Sequence, residues 1–242
     1  MISNDRDFLE YSSYLRKKAK INPKFATQQV FAIDDECIKK CREYIDSINQ
    51  INIEIKKITK SKDKAKERNE LNRKKGKALE NLAKELLNSS SIFDAKPNLR
   101  DTSNEIDLLL IPSDYNALNE CLLPKYLKND ILVECKNYNE TIKVDWVGKF
   151  ASLANTHSVE LGIIFSYKKF AGKSWTSSIG LSKKIFLAEK RAIINICMDD
   201  VNKVLDKEMN IVELIIAKYE ELKHQVDYSE FIQKHPAEIE AS

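Results

Sequence analysis

A short apolar stretch that ends in two opposite charges constrains the fold of this chain more than any other feature. Residues 131–138 read ILVECKNY, a run of β-favouring side chains typical of a buried strand. Successive side chains alternate across a sheet, so Glu134 and Lys136 project from the same face. Burying a carboxylate and an ammonium is costly unless they are paired or bind a metal. The segment therefore predicts a strand that presents a polar site.

A second apolar segment carries a further carboxylate. Residues 106–111 read IDLLLI and end at Pro112, which predicts a strand with Asp107 embedded in it. If this strand pairs with residues 131–138, Asp107 approaches Glu134 on one face. Two adjacent carboxylates repel each other unless a cation lies between them. Magnesium suits such a place, because it takes oxygen ligands in octahedral geometry and keeps waters that can react.

A third carboxylate precedes these strands on a predicted helix. In residues 76–88, GKALENLAKELLN, leucine and alanine recur at the spacing of an amphipathic helix, and Glu80 borders the buried stripe. Glu80 would add an oxygen ligand directly or through water, or would only be solvated at the helix edge. Lys136 would orient or activate the attacking water and offset charge that develops on a phosphate.

The remaining segments continue an alternation of strands and helices. We expect an irregular strand over 93–100, a connection with one short helix over 112–130, and a helix capped by Asp145 that runs to about His157. After these come a strand GIIFSY, a helix over 177–190, a strand AIINICM and a closing helix over 201–224. The order predicts an α/β fold with a mixed central sheet flanked by helices.

The N-terminal region, residues 1–75, is predicted to be helical, ahead of a core at 76–200 and a C-terminal helix and tail at 201–242. Apolar residues near a heptad pattern favour a short coiled coil, or a helical hairpin packed on itself or on a second copy. These residues are Ile38, Cys41, Ile45, Ile48 and Ile55. Residues 54–77 hold eleven Lys or Arg and four Asp or Glu, a charge distribution that suits a polyanion partner or a solvated helix face.

Composition argues against several classes of protein. No run approaches the roughly 20 apolar residues of a membrane helix, and MISNDRDFLE lacks the order of a signal peptide, which indicates a cytoplasmic protein. The five cysteines are scattered, so we interpret them as reduced packing thiols. The three histidines share no metal-site spacing, and no GxxxxGK phosphate loop is present, so ATP hydrolysis is not expected.

The ordered set Glu80, Asp107, Glu134 and Lys136 resembles the PD-(D/E)xK nuclease superfamily, and within it the Mrr-like restriction endonuclease group. The segments that carry the resemblance are GKALENLAKELL, NEIDLLL, LVECKNY and DWVGKFASLANTHSVELGIIFSY, which span about residues 76–198. Ile106 stands where the superfamily motif has its proline. The resemblance implies a restriction-endonuclease-like core with an N-terminal helical extension.

The same resemblance implies roles for individual residues. Asp107 and Glu134 would bind the metal with the backbone carbonyl of Cys135, Glu80 would assist from its helix, and Lys136 would be the catalytic lysine. The implied reaction is hydrolysis of DNA phosphodiester bonds with Mg²⁺, for which Mn²⁺ would substitute, leaving a 5′-phosphate. A restriction or phage-defence endonuclease would carry out this reaction.

Basic and aromatic residues around these strands are candidates for nucleic-acid contacts. Lys149 stands where many relatives carry a glutamine, and Lys143 and Lys173 follow predicted strands, although each is equally explained as ordinary surface. Trp146 and Trp175 would stack on bases or pack, and packing is favoured for Trp146.

Three functions are compatible with this pattern: a DNA endonuclease, a nuclease-fold binding module that cleaves only with a partner, and an RNA-directed nuclease. The N-terminal helices are expected to form a dimerisation or DNA-clamping element. A homodimer through these helices, or a separate ATPase or defence-system partner, would fit the endonuclease.

Overall fold

The computed structural model describes residues 5–22, 24–58, 64–100, 105–172 and 176–224. Lys173 and Trp175, together with the tail expected after Asp227, lie outside these ranges.

A five-stranded mixed sheet forms the centre of the molecule. Its strands are β1 (Phe93–Arg100), β2 (Glu105–Pro112), β3 (Ile131–Lys136), β4 (Leu161–Ser166) and β5 (Ala192–Ile196). They lie in the order of the sequence, β1-β2-β3-β4-β5. The pairs β1–β2 and β2–β3 are antiparallel, whereas β3–β4 and β4–β5 are parallel. The predicted α/β fold with a mixed sheet is confirmed.

In the described ranges, helices cover both faces of the sheet, and four of them precede the first strand in the sequence. They are α1 (Asp5–Ile21), α2 (Phe25–Val30), α3 (Asp35–Lys57), α4 (Ala65–Asn88), α5 (Asp114–Leu118), α6 (Val144–Thr156), α7 (Ser178–Glu189), α8 (Met198–Leu205) and α9 (Ile211–His224). The helices α4, α8 and α9 pack in one apolar cluster, and α6 packs in the other. The parallel crossovers from β3 to β5 therefore have an apolar cluster on each side.

Side-chain alternation divides the core at β3. Val133 packs in the cluster that contains α4, and Leu132 packs in the cluster that contains α6. At Gly162 of β4, an added Cβ would stand 2.8 Å from the ring of Phe150 on α6. A side chain at this position would push α6 away from the sheet, which explains the glycine.

The helices α3 and α4 form an antiparallel hairpin. The apolar residues of the heptad-like pattern in α3 pack against α4 of the same chain. Cys41 and Ile48 are fully buried and belong to the same apolar cluster as Leu79 and Leu82 of α4. The thiol of Cys37 contacts the carbonyl oxygen of Glu85 at 3.6 Å. Of the alternatives that the heptad pattern allowed, the structure has the hairpin packed on itself.

Two predicted helices differ from the observed ones. The helix expected over 76–88 is the second half of α4, which begins at Ala65. The closing helix expected over 201–224 is two helices, because Lys207 has a positive φ and Asn210 and Glu213 exchange the hydrogen bonds of a capping box that starts α9.

The start of α6 differs in a smaller way from the prediction. Lys143 is the N-cap residue, and Asp145 lies in the first turn of the helix instead of capping it. A carboxylate in the first turn still favours the helix, because it interacts with the positive end of the helix dipole.

Candidate active site

The site begins where β2 and β3 stop pairing. Their ladder includes the pair Leu108 and Val133, and one residue further along both strands come Asp107 and Glu134. The charge of Glu134 raises the pKa of Asp107, so the two carboxylates lie near each other at this point. The Asp107 carboxylate accepts a hydrogen bond of 2.7 Å from the backbone N–H of Cys135. A side chain thus makes the hydrogen bond that a backbone carbonyl would make if the ladder continued.

Burial and the charge of the nearby Glu134 carboxylate together raise the pKa of Asp107 to about 6. The hydrogen bond from Cys135 and the charge of Lys136 oppose this shift but do not cancel it. A carboxylate under these conditions is stabilised by a proton or by a cation. Asp107 therefore lies in surroundings that favour a positive ligand.

Lys136 pairs with Glu134 and lies over an aromatic ring. Its ammonium donates a hydrogen bond to Glu134 Oε1, and both side chains are largely buried. The same ammonium lies 4.2 Å from the centroid of Trp146, and Lys149 Nζ lies 5.0 Å from that centroid. An indole face attracts cations through its quadrupole. Trp146 therefore contacts the predicted catalytic lysine, a role that sequence reasoning missed because it favoured simple packing.

Glu80 approaches the site from α4. Its carboxylate lies 3.0 Å from Lys77 Nζ, and its side chain is 22% exposed. Its charge acts on Asp107 and on Cys135, raising the pKa of both groups. The four residues singled out in the sequence are thus neighbours around the divergence of β2 and β3.

The side chain of Cys135 is separate from this polar site. It packs against the apolar cluster that contains α4, and burial raises the pKa of its thiol well above the usual range. A thiol held neutral is a poor metal ligand. Only the backbone carbonyl of Cys135 is suited to bind a cation here.

The donor set fits a hard divalent cation. Within the described ranges, no three His, Cys, Asp or Glu side chains are grouped closely enough to hold a metal ion. Magnesium does not need such a group, because it commonly binds through one or two carboxylates, waters and substrate phosphates. Asp107 and Glu134 interact through their charges, and the raised pKa of Asp107 indicates a site short of positive charge. Asp107 and Glu134 can therefore supply the one or two carboxylates that magnesium needs.

The lysines predicted to contact nucleic acid have different surroundings. Lys149 joins the site through the Trp146 ring. Lys143 is exposed at the start of α6, with its Nζ 3.7 Å from Glu140. Lys173 lies outside the described residues.

A polar network beside the site also escaped sequence reasoning. Lys75 is only 3% exposed, and its ammonium donates a 2.7 Å hydrogen bond to Asn139 Oδ1 in the loop after β3. It lies 5.4 Å from the ring centroid of Tyr167. Burial lowers the pKa of Lys75 to about 8. Lys75 could not be singled out in the sequence, because it lies in a basic segment and nothing local distinguishes a buried lysine from its solvated neighbours.

Comparison with known families agrees with this geometry. The family model Mrr_cat, described as a restriction endonuclease, matches residues 71–197, just over half of the chain. The chain belongs to this restriction endonuclease family. The matched range contains all four residues of the site and the five strands of the sheet. It begins inside α4, so α1, α2 and α3 of this restriction endonuclease lie outside the match.

Two other comparisons gave no match. Neither the curated proteins nor the solved structures include one that matches the chain significantly. Separately, none of the helices in the described part of the chain is long and apolar enough to span a membrane.

Proposed function

We propose that this restriction endonuclease hydrolyses phosphodiester bonds of DNA in a reaction that depends on a divalent cation, with Mg²⁺ as the physiological ion and Mn²⁺ as a substitute. Its biological role would be restriction or phage defence. The observation that carries the proposal is the pair Asp107 and Glu134, which follow the last paired residues of β2 and β3, interact through their charges and are flanked by the ammonium of Lys136.

Three groups would hold the cation: the carboxylates of Asp107 and Glu134 and the backbone carbonyl of Cys135. Glu80 would act through a bound water from its position on α4. When bound, the ion would polarise the phosphate and lower the pKa of a water. These ligands come from both strands and from α4, so the site depends on their mutual packing.

The protein side chains have separate tasks in the reaction. Lys136 pairs with Glu134 in the free protein, and its ammonium would turn toward the phosphate when Glu134 binds a cation. There it would orient the attacking water and stabilise charge on the phosphate oxygens. The ring of Trp146 would keep the ammonium near the strand end during this exchange. The product would carry a 5′-phosphate.

Plasmid cleavage in Mg²⁺ tests the proposal. Glu134→Gln keeps the size of the side chain and removes its charge, and Lys136→Met keeps most of the length and removes the ammonium. We expect each to lower the rate by about 10²–10⁴-fold. Lys128→Ala is the matched control, because Lys128 precedes β3 at the end of the strand opposite the site and pairs with Glu120.

Three results would contradict the proposal. Undiminished cleavage by Glu134→Gln or Lys136→Met would remove these residues from the mechanism. Wild-type protein that binds DNA but cuts with neither Mg²⁺ nor Mn²⁺ would support the binding module. Preferential digestion of RNA in a parallel assay would replace DNA as the substrate.

For the N-terminal region, we propose that residues up to about 75 form a dimerisation or DNA-clamping element ahead of the catalytic core. Because α3 uses its apolar stripe against α4, a dimer would have to use other surfaces. Light scattering at micromolar concentration tests this version, and a monomer both with and without DNA would exclude it.

A further inference from the structure

The helix α4 extends beyond the site and carries a line of cations on the side where Glu80 lies. Successive residues of an α-helix are rotated by about 100°, so Arg73 lies about 20° from Glu80 around the axis, Lys66 about 40° and Lys77 about 60°. These three residues, Lys66, Arg73 and Lys77, are called the α4 cation stripe. They lie along one flank of the helix, from the predicted active site toward the N-terminus of α4.

The stripe is accessible and largely uncompensated. Lys66, Arg73 and Lys77 are exposed. Lys77 pairs with Glu80, whereas no carboxylate among the described residues forms an ion pair with Arg73 or Lys66. The neighbouring acid Glu70 is neutralised by Lys74, whose Nζ lies 3.1 Å from it. The stripe is therefore a positively charged surface.

The opposite side of α4 is unavailable for the same purpose. There Lys75 is buried and bonded to Asn139 instead of facing solvent. Leu82 and Cys41 join the two helices of the hairpin in one apolar cluster. A polyanion that binds to this helix is thus limited to its exposed flanks, one of which carries the stripe.

The loop after β3 holds α4 at a fixed position relative to the site. Asn137 donates a 3.0 Å hydrogen bond to the carbonyl oxygen of Asn72, and Lys75 donates to Asn139. At Gly76 an added Cβ would lie 3.1 Å from Asn137 Nδ2, so the glycine permits this close approach. Residues 72–76 of α4 are thus bound to the segment that directly follows Lys136.

We propose that the α4 cation stripe binds the sugar-phosphate backbone of duplex DNA beside the cleaved bond. The proposal rests on the proposed function and extends it to a surface that begins inside the matched family range, at Lys77 and Arg73, and continues beyond it to Lys66. At a rise of about 1.5 Å per residue, Lys77 and Arg73 are about 6 Å apart along the axis, and Arg73 and Lys66 about 10 Å. One DNA strand presents a phosphate every 3.4 Å or so of helix axis, so a single duplex can meet all three.

The Lys77–Glu80 pair connects the stripe with the site. If Glu80 helps to hold a cation, its carboxylate no longer needs Lys77, and the ammonium becomes available to a phosphate next to the cleaved one. Arg73 and Lys66 would then contact phosphates further along the duplex. Such contacts position the DNA and carry no sequence preference.

Salt-dependent DNA binding tests the stripe directly. Binding of a fluorescent duplex is measured without divalent cation, over a range of salt concentrations, so the measurement does not depend on cleavage. The test variant is Arg73→Ala/Lys77→Ala. Its control, Lys125→Ala/Lys128→Ala, removes the same charge from the segment that precedes β3. Each lost phosphate contact lowers the slope of log K against log salt by about 0.9 for duplex DNA.

We expect the slope of the test variant to fall by about 2, with weaker binding to every sequence, and that of the control to stay unchanged. Adding Lys66→Ala should lower it by about 1 more. Equal slopes for the test variant and wild type, an equal loss in the control, or no wild-type binding to duplex DNA would overturn the proposal. Tighter binding to RNA or single strands than to duplex would also overturn it.

The DNA-binding test needs separate control measurements for folding and for cleavage. Because Arg73 and Lys77 are exposed, the variant should keep the unfolding midpoint of the wild type. If the midpoint falls, Arg73→Gln/Lys77→Gln, which keeps longer side chains, is used to measure the slope. If the protein cleaves DNA but the salt slope does not depend on the stripe, the proposed nuclease function stands and the proposed DNA-binding role of the stripe is refuted. If the slope depends on the stripe but no DNA is cleaved, the binding role stands and the proposed nuclease function is refuted.

Discussion

Asp107 shows how one buried side chain can favour function at the expense of stability. Its carboxylate is held by a backbone N–H, lies near a second carboxylate and is partly removed from water. Each of these features suits a cation ligand, but without a cation the last two disfavour the ionised form. A similar conflict applies to Lys136, which is confined by Glu134 and Trp146 instead of being solvated.

Asp107→Asn should therefore stabilise the protein when divalent ions are removed. The folded-state pKa of about 6 lies above the ordinary aspartate value of 3.8, so ionisation penalises the folded state. The penalty is absent below about pH 4 and complete above about pH 7. Partial exposure reduces it to an order of 1–2 kcal/mol. Urea unfolding in chelator should show this gain at pH 8 and little gain at pH 4, whereas a gain independent of pH would contradict it.

Substitution of Trp146 tests its contact with Lys136. A cation–π contact contributes about 0.5–2 kcal/mol, so Trp146→Leu should lower kcat for plasmid cleavage by about 2–30-fold. Trp146→Phe keeps an aromatic face and should retain more of the rate. Equal rates for the two variants at equal stability would show that the ring only packs.

The helix α4 links three parts of the protein. Its second half contributes Leu79, Leu82 and Glu80 to the core and the site, while its first half pairs with α3 and carries the cation stripe. A helix of 24 residues is long enough to do both, at a rise of about 1.5 Å per residue. Lys75 and Asn72 attach it to the loop after β3 through hydrogen bonds with Asn139 and Asn137.

Lys75→Met should raise stability at neutral pH. Burial lowers the pKa of Lys75 from the ordinary lysine value of 10.5 to about 8. The charged lysine therefore disfavours folding below pH 8, and this cost disappears as pH rises toward about 10.5. A lowering of this size corresponds to a cost on the order of 3 kcal/mol at neutral pH. Urea unfolding should show a larger gain for the variant at pH 7 than at pH 10. The opposite pH trend would show that the bond to Asn139 outweighs the burial cost.

The N-terminal helices and the catalytic core share one apolar cluster. Phe31, Cys41 and Ile48 pack in the same cluster as Val133 of β3 and Ile211 of α9. The family match begins only at residue 71, yet the earlier residues cover one face of its sheet. Stability, the position of α4 and the geometry of the site are therefore coupled.

Divalent cations should stabilise the whole molecule. A ligand that binds only the folded state adds about 1.4 kcal/mol at ten times its Kd, which corresponds to roughly 3–6 °C in Tm for a chain of this size. Calorimetry should show this rise with Mg²⁺ for wild-type protein and for Lys128→Ala. It should be absent in Glu134→Gln, and an equal rise there would place the ion elsewhere.

The sequence alone was enough to predict the α/β class and the order of the main helices and strands along the chain, and it singled out Glu80, Asp107, Glu134 and Lys136. These features follow from local periodicity, because alternation in strands and helical spacing are visible in short segments. Only the tertiary structure decided that Trp146 contacts Lys136, that Lys75 is buried, and that α3 packs on α4 within one chain. Such contacts depend on register and packing between distant segments, which no local pattern encodes.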